Sequence, residues 1–148
     1  MPVTADLEIR PIQADDLETV IRIQEAIIQR PVAENWLNLV KMQLAKPETV
    51  SLVAVRRGEV IGFFFGGVRH GDFGLEHSGW IEMFGVNPKA MGQGVGRALA
   101  EAAFKRFREL KVKDIYTAVR WDSGDLLAFF KNIGFSLSDF INLKTRLD

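Results

Sequence analysis

The chain contains no cysteine. Disulfides, thiolate nucleophiles and cysteine metal sites are thereby excluded. It also lacks net charge: 19 Lys and Arg balance 19 Asp and Glu. Composition therefore offers no basic excess of the kind that nucleic-acid or membrane-surface partners usually call for. The longest apolar run, residues 60–68, is far too short to span a bilayer, and no signal-peptide pattern opens the chain. Histidine occurs twice, at His70 and His77, without acids at metal-ligand spacing, so no metal is expected. Tyrosine occurs once, at Tyr116. What remains is ordinary for a globular protein. The 148 residues are 47% hydrophobic and 26% charged, which fits one domain over residues 1–148 with a real core. These features predict a cytoplasmic protein.

Periodicity sets the order of elements. Residues 7–12 alternate and read as a strand, with Pro11 near its end. Asp15 and Asp16 suit a first helical turn. Leu17, Val20, Ile21, Ile27 and Ile28 then mark one face of a helix that Pro31 stops. A second helix is expected over residues 32–45, with Trp36, Leu37, Leu39, Val40 and Leu44 as its apolar set, ended by Pro47. Residues 49–56 and 59–68 read as strands about a tight Arg57-Gly58 turn. A polar, glycine-rich connection over 69–79 leads to a strand at 80–86. A helix follows over 93–110, then a strand over 114–120. Asp122 can cap the last helix, with Asp125 three residues on and Trp121 able to pack on Leu126 as a hydrophobic staple. Gly134 ends it, and residues 135–137 and 140–145 read as two final strands. The sum is β-α-α-β-β-β-α-β-α-β-β. This is an α/β (α+β) domain with a mixed, mostly antiparallel central sheet flanked by helices.

The stretch over residues 86–99, VNPKAMGQGVGRAL, is the strongest chemical signal. A strand ends at Val86, Asn87-Pro88 turns, and Gly92, Gly94 and Gly96 lead into an amphipathic helix. Glycine admits unusual dihedrals and close approach of a ligand to backbone N–H groups. The first N–H groups of a helix have no intrahelical partner and carry partial positive charge. A phosphate or pyrophosphate fits such a place; a glycine-rich entry into a helix is the plainer alternative. The spacing is G-x-G-x-G rather than the dinucleotide G-x-G-x-x-G, and no G-K-S or G-K-T is present.

This stretch resembles the acyl-CoA pyrophosphate loop of the GNAT superfamily of N-acetyltransferases. The family pattern is Arg/Gln-x-x-Gly-x-Gly/Ala after a strand ending apolar-Val-x-Pro; Val86, Pro88, Gly94 and Gly96 match, and Met91 departs at the Arg/Gln position. The element order is similar over essentially the whole chain. Residues 129–135, FFKNIGF, are similar to the family's closing motif, aromatic-Tyr-x-Lys-x-Gly-Phe. A helix with a glycine C-cap would explain Phe130, Ile133 and Phe135 without a ligand.

The resemblance implies acetyl-CoA as co-substrate and direct attack by a primary amine: a small amine, an amino acid or a peptide N-terminus. Cofactor contacts would come from Met91, Gly92, Gln93, Gly94, Val95, Gly96 and Arg97, with charge from Lys89 or Arg97. Phe84, Gly85 and Val86 would run beside the pantetheine arm, opposite a splayed fifth strand. Glu82 is the candidate base, on a strand face with Trp80 and Phe84; a solvent-facing glutamate, or one paired with Arg56 or Arg120, is the alternative. Glu76, His70 and His77 are weaker candidates. The family's general-acid tyrosine falls at Phe130, which cannot donate a proton, and its asparagine falls at Ser123. Tyr116 is the only tyrosine available as a substitute; core packing with its hydroxyl at the surface is the other reading. The missing acid leaves open a weakly active or inactive acyl-CoA-binding or interaction domain. Trp36, Phe63, Phe65, Phe73, Trp80 and Phe84 could line an aromatic floor, and Asp72, Glu76 and Glu82 could attract an amine cation. A homodimer is left open.

Overall fold

The computed structural model describes residues 6–71 and 74–148. Asp72 and Phe73, with the roles expected of them, lie outside the described residues. The chain divides into two compact units, Met1–Thr117 and Ala118–Asp148.

The first unit runs β1 (Leu7–Pro11), α1 (Leu17–Ile28), α2 (Trp36–Leu44), β2 (Thr49–Arg56), β3 (Glu59–His70), β4 (His77–Val86), α3 (Val95–Glu109) and β5 (Ile115–Tyr116). The sheet order is β1-β2-β3-β4-β5. The first four strands are antiparallel neighbours, and β5 joins β4 in parallel. Arg57 and Gly58 both take positive φ, 53° and 78°. A two-residue hairpin needs that geometry to match the twist of its strands, so Arg56 pairs directly with Glu59.

Each sheet face is covered because the helices carry matching stripes. Val20 and Ile23 of α1 and Val40 of α2 are buried with Val53, Phe63 and Phe65 on one face. On the other lies α3, whose Val95, Leu99, Ala103 and Phe107 recur every four residues and are fully buried. Gly62 lets α3 sit close: a Cβ there would lie 3.0 Å from Leu99 Cδ1 and 3.3 Å from Val95 Cγ1.

Asp16 ties β1 to the entry of α1. Its carboxylate accepts from Arg10 Nη1 and Nη2 at 2.8 and 2.9 Å and from the Gln13 N–H at 2.7 Å, and the residue is 7% exposed. The Arg10 hydrogen bonds pull the Asp16 pKa below the usual carboxylate value, burial pushes back, and the Gln13 N–H adds to the lowering. The resulting stability is present above the ordinary aspartate pKa and is lost as pH falls through the lowered folded value. Hydrogen bonds to a charged group contribute about 1.5–3 kcal/mol. Asp16→Ala should therefore cost about 2 kcal/mol in urea unfolding at pH 7, and much less at pH 2. An equal loss at both pH values would contradict this account.

In the second unit, α4 (Gly124–Asn132) is followed by Gly134 at φ 109°. The Phe135 N–H closes onto the Phe130 carbonyl at 2.9 Å. Phe130 stacks edge-on with Phe129 and Phe135, centroids 5.4 and 5.1 Å away.

Several sequence expectations are corrected. The second helix starts at Trp36, not at residue 32. Helix α1 ends in a left-handed cap at Gln29, two residues before Pro31. The connection expected over 69–79 is shorter, since both its ends are strand: Arg69↔Ser78 and His70↔His77 are paired. The fifth strand is only Ile115–Tyr116. Asp122 does not cap α4. Ser123 holds the N-cap position, and the Asp122 carboxylate takes both Arg120 Nε and Nη2, at 2.9 and 2.8 Å. Trp121 is 87% exposed, so it offers no buried staple. No strand follows α4 among the described residues. In the stretch expected to form a hairpin, Leu137 and Leu143 are 100% and 87% exposed. Alternation favours a strand only where one face has something to cover.

Candidate active site

The glycine-rich loop is built to take its shape. Asn87 donates its N–H to the Ile61 carbonyl at 2.8 Å, and its Oδ1 accepts from the Lys89 N–H at 3.0 Å. Ile61 is the extra residue of a bulge, for Ala54 pairs with Gly62 and Val55 with Val60. A bulge turns a carbonyl out of the regular ladder, and here that carbonyl anchors the start of the loop. A 3₁₀ turn over Pro88–Ala90 follows. Gly92 and Gly94 then adopt φ 77° and 81°, which costs other residues roughly 1–2 kcal/mol. Gly94 is the N-cap of α3, and the first i→i−4 bond runs from Ala98 to Gly94 at 3.0 Å. The N–H groups of Val95, Gly96 and Arg97 precede that bond and point from the helix start. Val95 is buried and fixes the helix, whereas Met91 and Arg97 are exposed. Arg97 pairs with Glu101, one turn on, at 3.0 Å.

Gln93 is held from below. Arg56 Nη1 donates to Gln93 Oε1, and Arg56 Nε donates to Asp6 Oδ1 at 3.1 Å. Arg56 thus braces the loop against the end of β2. The alternative in which Arg56 pairs with Glu82 is not what the fold makes. Gln93 lies 37 residues away in sequence, and no local pattern announces the contact.

Beside the loop lies β4. Its ladder with β5 consists of Gly79↔Ile115 and Trp80↔Tyr116 and stops there, while β4 continues to Val86. On the β3 side Phe65 pairs with Met83 and Gly66 with Ile81, so Glu82 is the extra residue of a second bulge. The bulge breaks the strict alternation expected of this strand. Phe84 is edge-on to Phe64, centroids 5.6 Å apart, and Phe64 shares the α3 side with Phe107, both flanking Gly66. Met83 instead packs against the α1–α2 cluster. Glu82 therefore does not share a face with Phe84. Its partner is Arg69 Nη2, at 2.7 Å, neither Arg56 nor Arg120.

Tyr116 is half-buried and stacked on Trp80, centroids 5.1 Å apart. The Arg69 guanidinium lies over the other flank of this array, 4.2 Å from the Trp80 ring centre. His70 and His77 stack at 5.5 Å beyond it. Their ring nitrogens are taken by Glu48 Oε1 at 2.7 Å and by the Leu110 carbonyl at 3.1 Å. They fasten the hairpin to its neighbours. Glu76 is exposed at the hairpin tip. Phe63 and Phe65 are core rather than a binding floor. Ser123 and Phe130 belong to the second unit, where Phe130 is 6% exposed. Among the described residues no group of His, Cys, Asp and Glu is placed to hold a metal, and no helix is long and apolar enough to cross a membrane.

Residues 14–135 match the family model described as Acetyltransferase (GNAT) family. The chain belongs to that family. It is 37% identical over 87 residues to a mycothiol acetyltransferase of Amycolatopsis mediterranei (strain U-32), a match spanning 57% of this chain but only 29% of that relative. Among solved structures it is similar to AAC(6')-Iy in complex with the bisubstrate analogue CoA-S-monomethyl-acetylneamine. There the TM-score is 0.82 at 15% identity, over 96% of this chain and 99% of that one. An aminoglycoside acetyltransferase from an uncultured soil metagenomic sample, in complex with sisomicin, gives 0.80 at 16% identity, over 99% of both chains. At such identities the likeness establishes the fold.

Proposed function

We propose that this protein transfers the acetyl group of acetyl-CoA to a primary amine. The observation that carries this reading is the pair of left-handed glycines opening α3 beside a strand whose ladder stops half-way. The family match runs from residue 14 to residue 135, across the boundary between the two units, which supports one acetyltransferase domain over the chain. Zero net charge and the lack of cysteine support a cytoplasmic enzyme without nucleic-acid or membrane partners.

Met91, Gly92, Gln93, Gly94, Val95, Gly96 and Arg97 would hold the pyrophosphate, mainly through N–H groups and the helix dipole. The strand backbone of Phe84, Gly85 and Val86 would align the pantetheine amides as a further strand would. When bound, acetyl-CoA supplies an activated thioester. An N–C bond forms, the C–S bond breaks, the nitrogen of the new amide gives up its extra proton to water, and the thiolate is protonated from solvent. Glu82 is the base: a proton leaves the ammonium nitrogen for a Glu82 oxygen, directly or through water. Tyr116, stacked on Trp80, would orient the acceptor side of the strand.

The experiment is a calorimetric and thermal titration with acetyl-CoA, followed by thiol release with a panel of amines. One-to-one binding with turnover supports the proposal; no binding contradicts it. Binding without turnover of any amine would favour an acyl-CoA-binding domain, the reading to which Phe130 lends support. Phe130→Tyr tests that position. If its geometry suits a general acid, kcat should rise, with the usual gain from such catalysis, about 10²–10⁴-fold, as the ceiling. A rate at or below wild type would remove residue 130 from the chemistry.

A further inference from the structure

The loop that opens α3 is gripped from outside itself. Ala90 and Val95, at its two ends, are buried. Between them Met91, Gly92 and Gly94 are exposed, and Gln93 is half-buried. Gly92 and Gly94 flank Gln93 at φ 77° and 81°. Glycine loses more conformational freedom on ordering than any other residue. A stretch of this composition holds one shape only if a side chain ties it down. The two glycines have none to offer, and that of Met91 lies in solvent. The tie falls to Gln93, whose Oε1 accepts from Arg56 Nη1.

Arg56 is itself firmly placed. It ends β2, paired with Leu7 of β1 and with Glu59 of β3, so its backbone belongs to the sheet. Its side chain is largely buried. Its Nε donates to Asp6 Oδ1 at 3.1 Å, and the other oxygen of that carboxylate takes Arg57 Nε at 3.2 Å. A guanidinium presents its donors in a rigid planar fork. With Nε set on Asp6, the direction of Nη1 is set too, and with it the place of Gln93. Gln93 directly precedes Gly94, the N-cap of α3. The N–H groups of residues 92–94 therefore join those of the helix start only while this contact holds the loop in shape. A site ordered before its ligand arrives spends less of the interaction energy on ordering.

We propose that Arg56 is a positioning residue: acting through Gln93, it preorders the loop for the pyrophosphate of acetyl-CoA, and it sets affinity rather than the rate of transfer. The inference rests on acetyl-CoA binding at this loop, a reading that Gly94→Trp tests separately. The experiment is a double-mutant cycle. Arg56→Met removes the donor, and Gln93→Met removes the acceptor at nearly the same length. Calorimetric titration with acetyl-CoA gives the Kd of each variant. Each single variant should bind about tenfold more weakly. The double variant should bind no more weakly than the weaker single one, because the same contact is removed twice. Arg56→Lys keeps a donor without the fork and should fall between wild type and Arg56→Met. At saturating acetyl-CoA, kcat should stay within about twofold of wild type throughout. Arg56→Met also gives up Asp6; if it does not fold, Arg56→Lys and Gln93→Met close the same cycle. Wild-type affinity in Gln93→Met or Arg56→Met, losses that multiply in the double variant, or a fall in kcat as large as the loss of affinity would each overturn the inference while leaving the acetyl-CoA site standing. No binding of acetyl-CoA by wild type would overturn both.

Discussion

Gly94→Trp is expected to abolish acetyl-CoA binding while leaving the chain folded. Two effects act together. Gly94 holds φ 81° at the N-cap of α3, where a residue with a Cβ is strained by about 1–2 kcal/mol. The indole would also occupy the space in front of the helix N–H groups that the pyrophosphate needs. In wild type, acetyl-CoA at a hundred times its dissociation constant should stabilise by about 2.7 kcal/mol. That is a rise of several degrees for a domain of this size. In the variant the shift should vanish, corresponding to at least about a hundredfold loss of affinity. Gly94→Ala separates the two effects, since it imposes the strain without the bulk and should keep part of the shift. A Gly94→Trp protein that still binds with wild-type affinity would place the pyrophosphate elsewhere.

Glu82→Gln should act on the other half of the reaction. The amide keeps the shape of the side chain and can still accept from Arg69, so the bulge and acetyl-CoA affinity should persist. It cannot take a proton from an ammonium. General-base catalysis contributes about 10²–10⁴-fold, and kcat should fall by about two orders of magnitude at pH 7. The loss should shrink at higher pH, where more of the amine is neutral without help. A uniform loss at every pH would point to misplacement rather than a missing base, and unaltered rates would remove Glu82 from the chemistry.

Much of this protein is legible in one dimension. The stripe Val95, Leu99, Ala103, Phe107 announces α3 and its buried face, because a helix repeats at close to four residues whatever it packs against. The hairpin at Arg57-Gly58 and the boundaries of β2 were likewise legible, since turn chemistry is local. The loop from Asn87 to Arg97 could be read as an anion site because helix starts and glycine conformations are local properties too.

Other features were settled only in three dimensions. The bulges at Ile61 and Glu82 arise from the register of two strands against each other, which no single strand encodes. The second one moves Phe84 to the opposite face from Glu82 and undoes the side-chain assignment that simple alternation implied. Arg56 finds Gln93, and Arg69 finds Glu82, across sequence separations of 37 and 13 residues. The alternating residues after Gly134 remained outside regular structure because a strand pattern states a preference and supplies no partner. The sequence by itself determined the family, the helix stripes and the glycine-rich entry to α3, since each depends on neighbours along the chain. The tertiary structure decided the counter-ion of Glu82 and the reach of β5, since both depend on which strands meet and in what register.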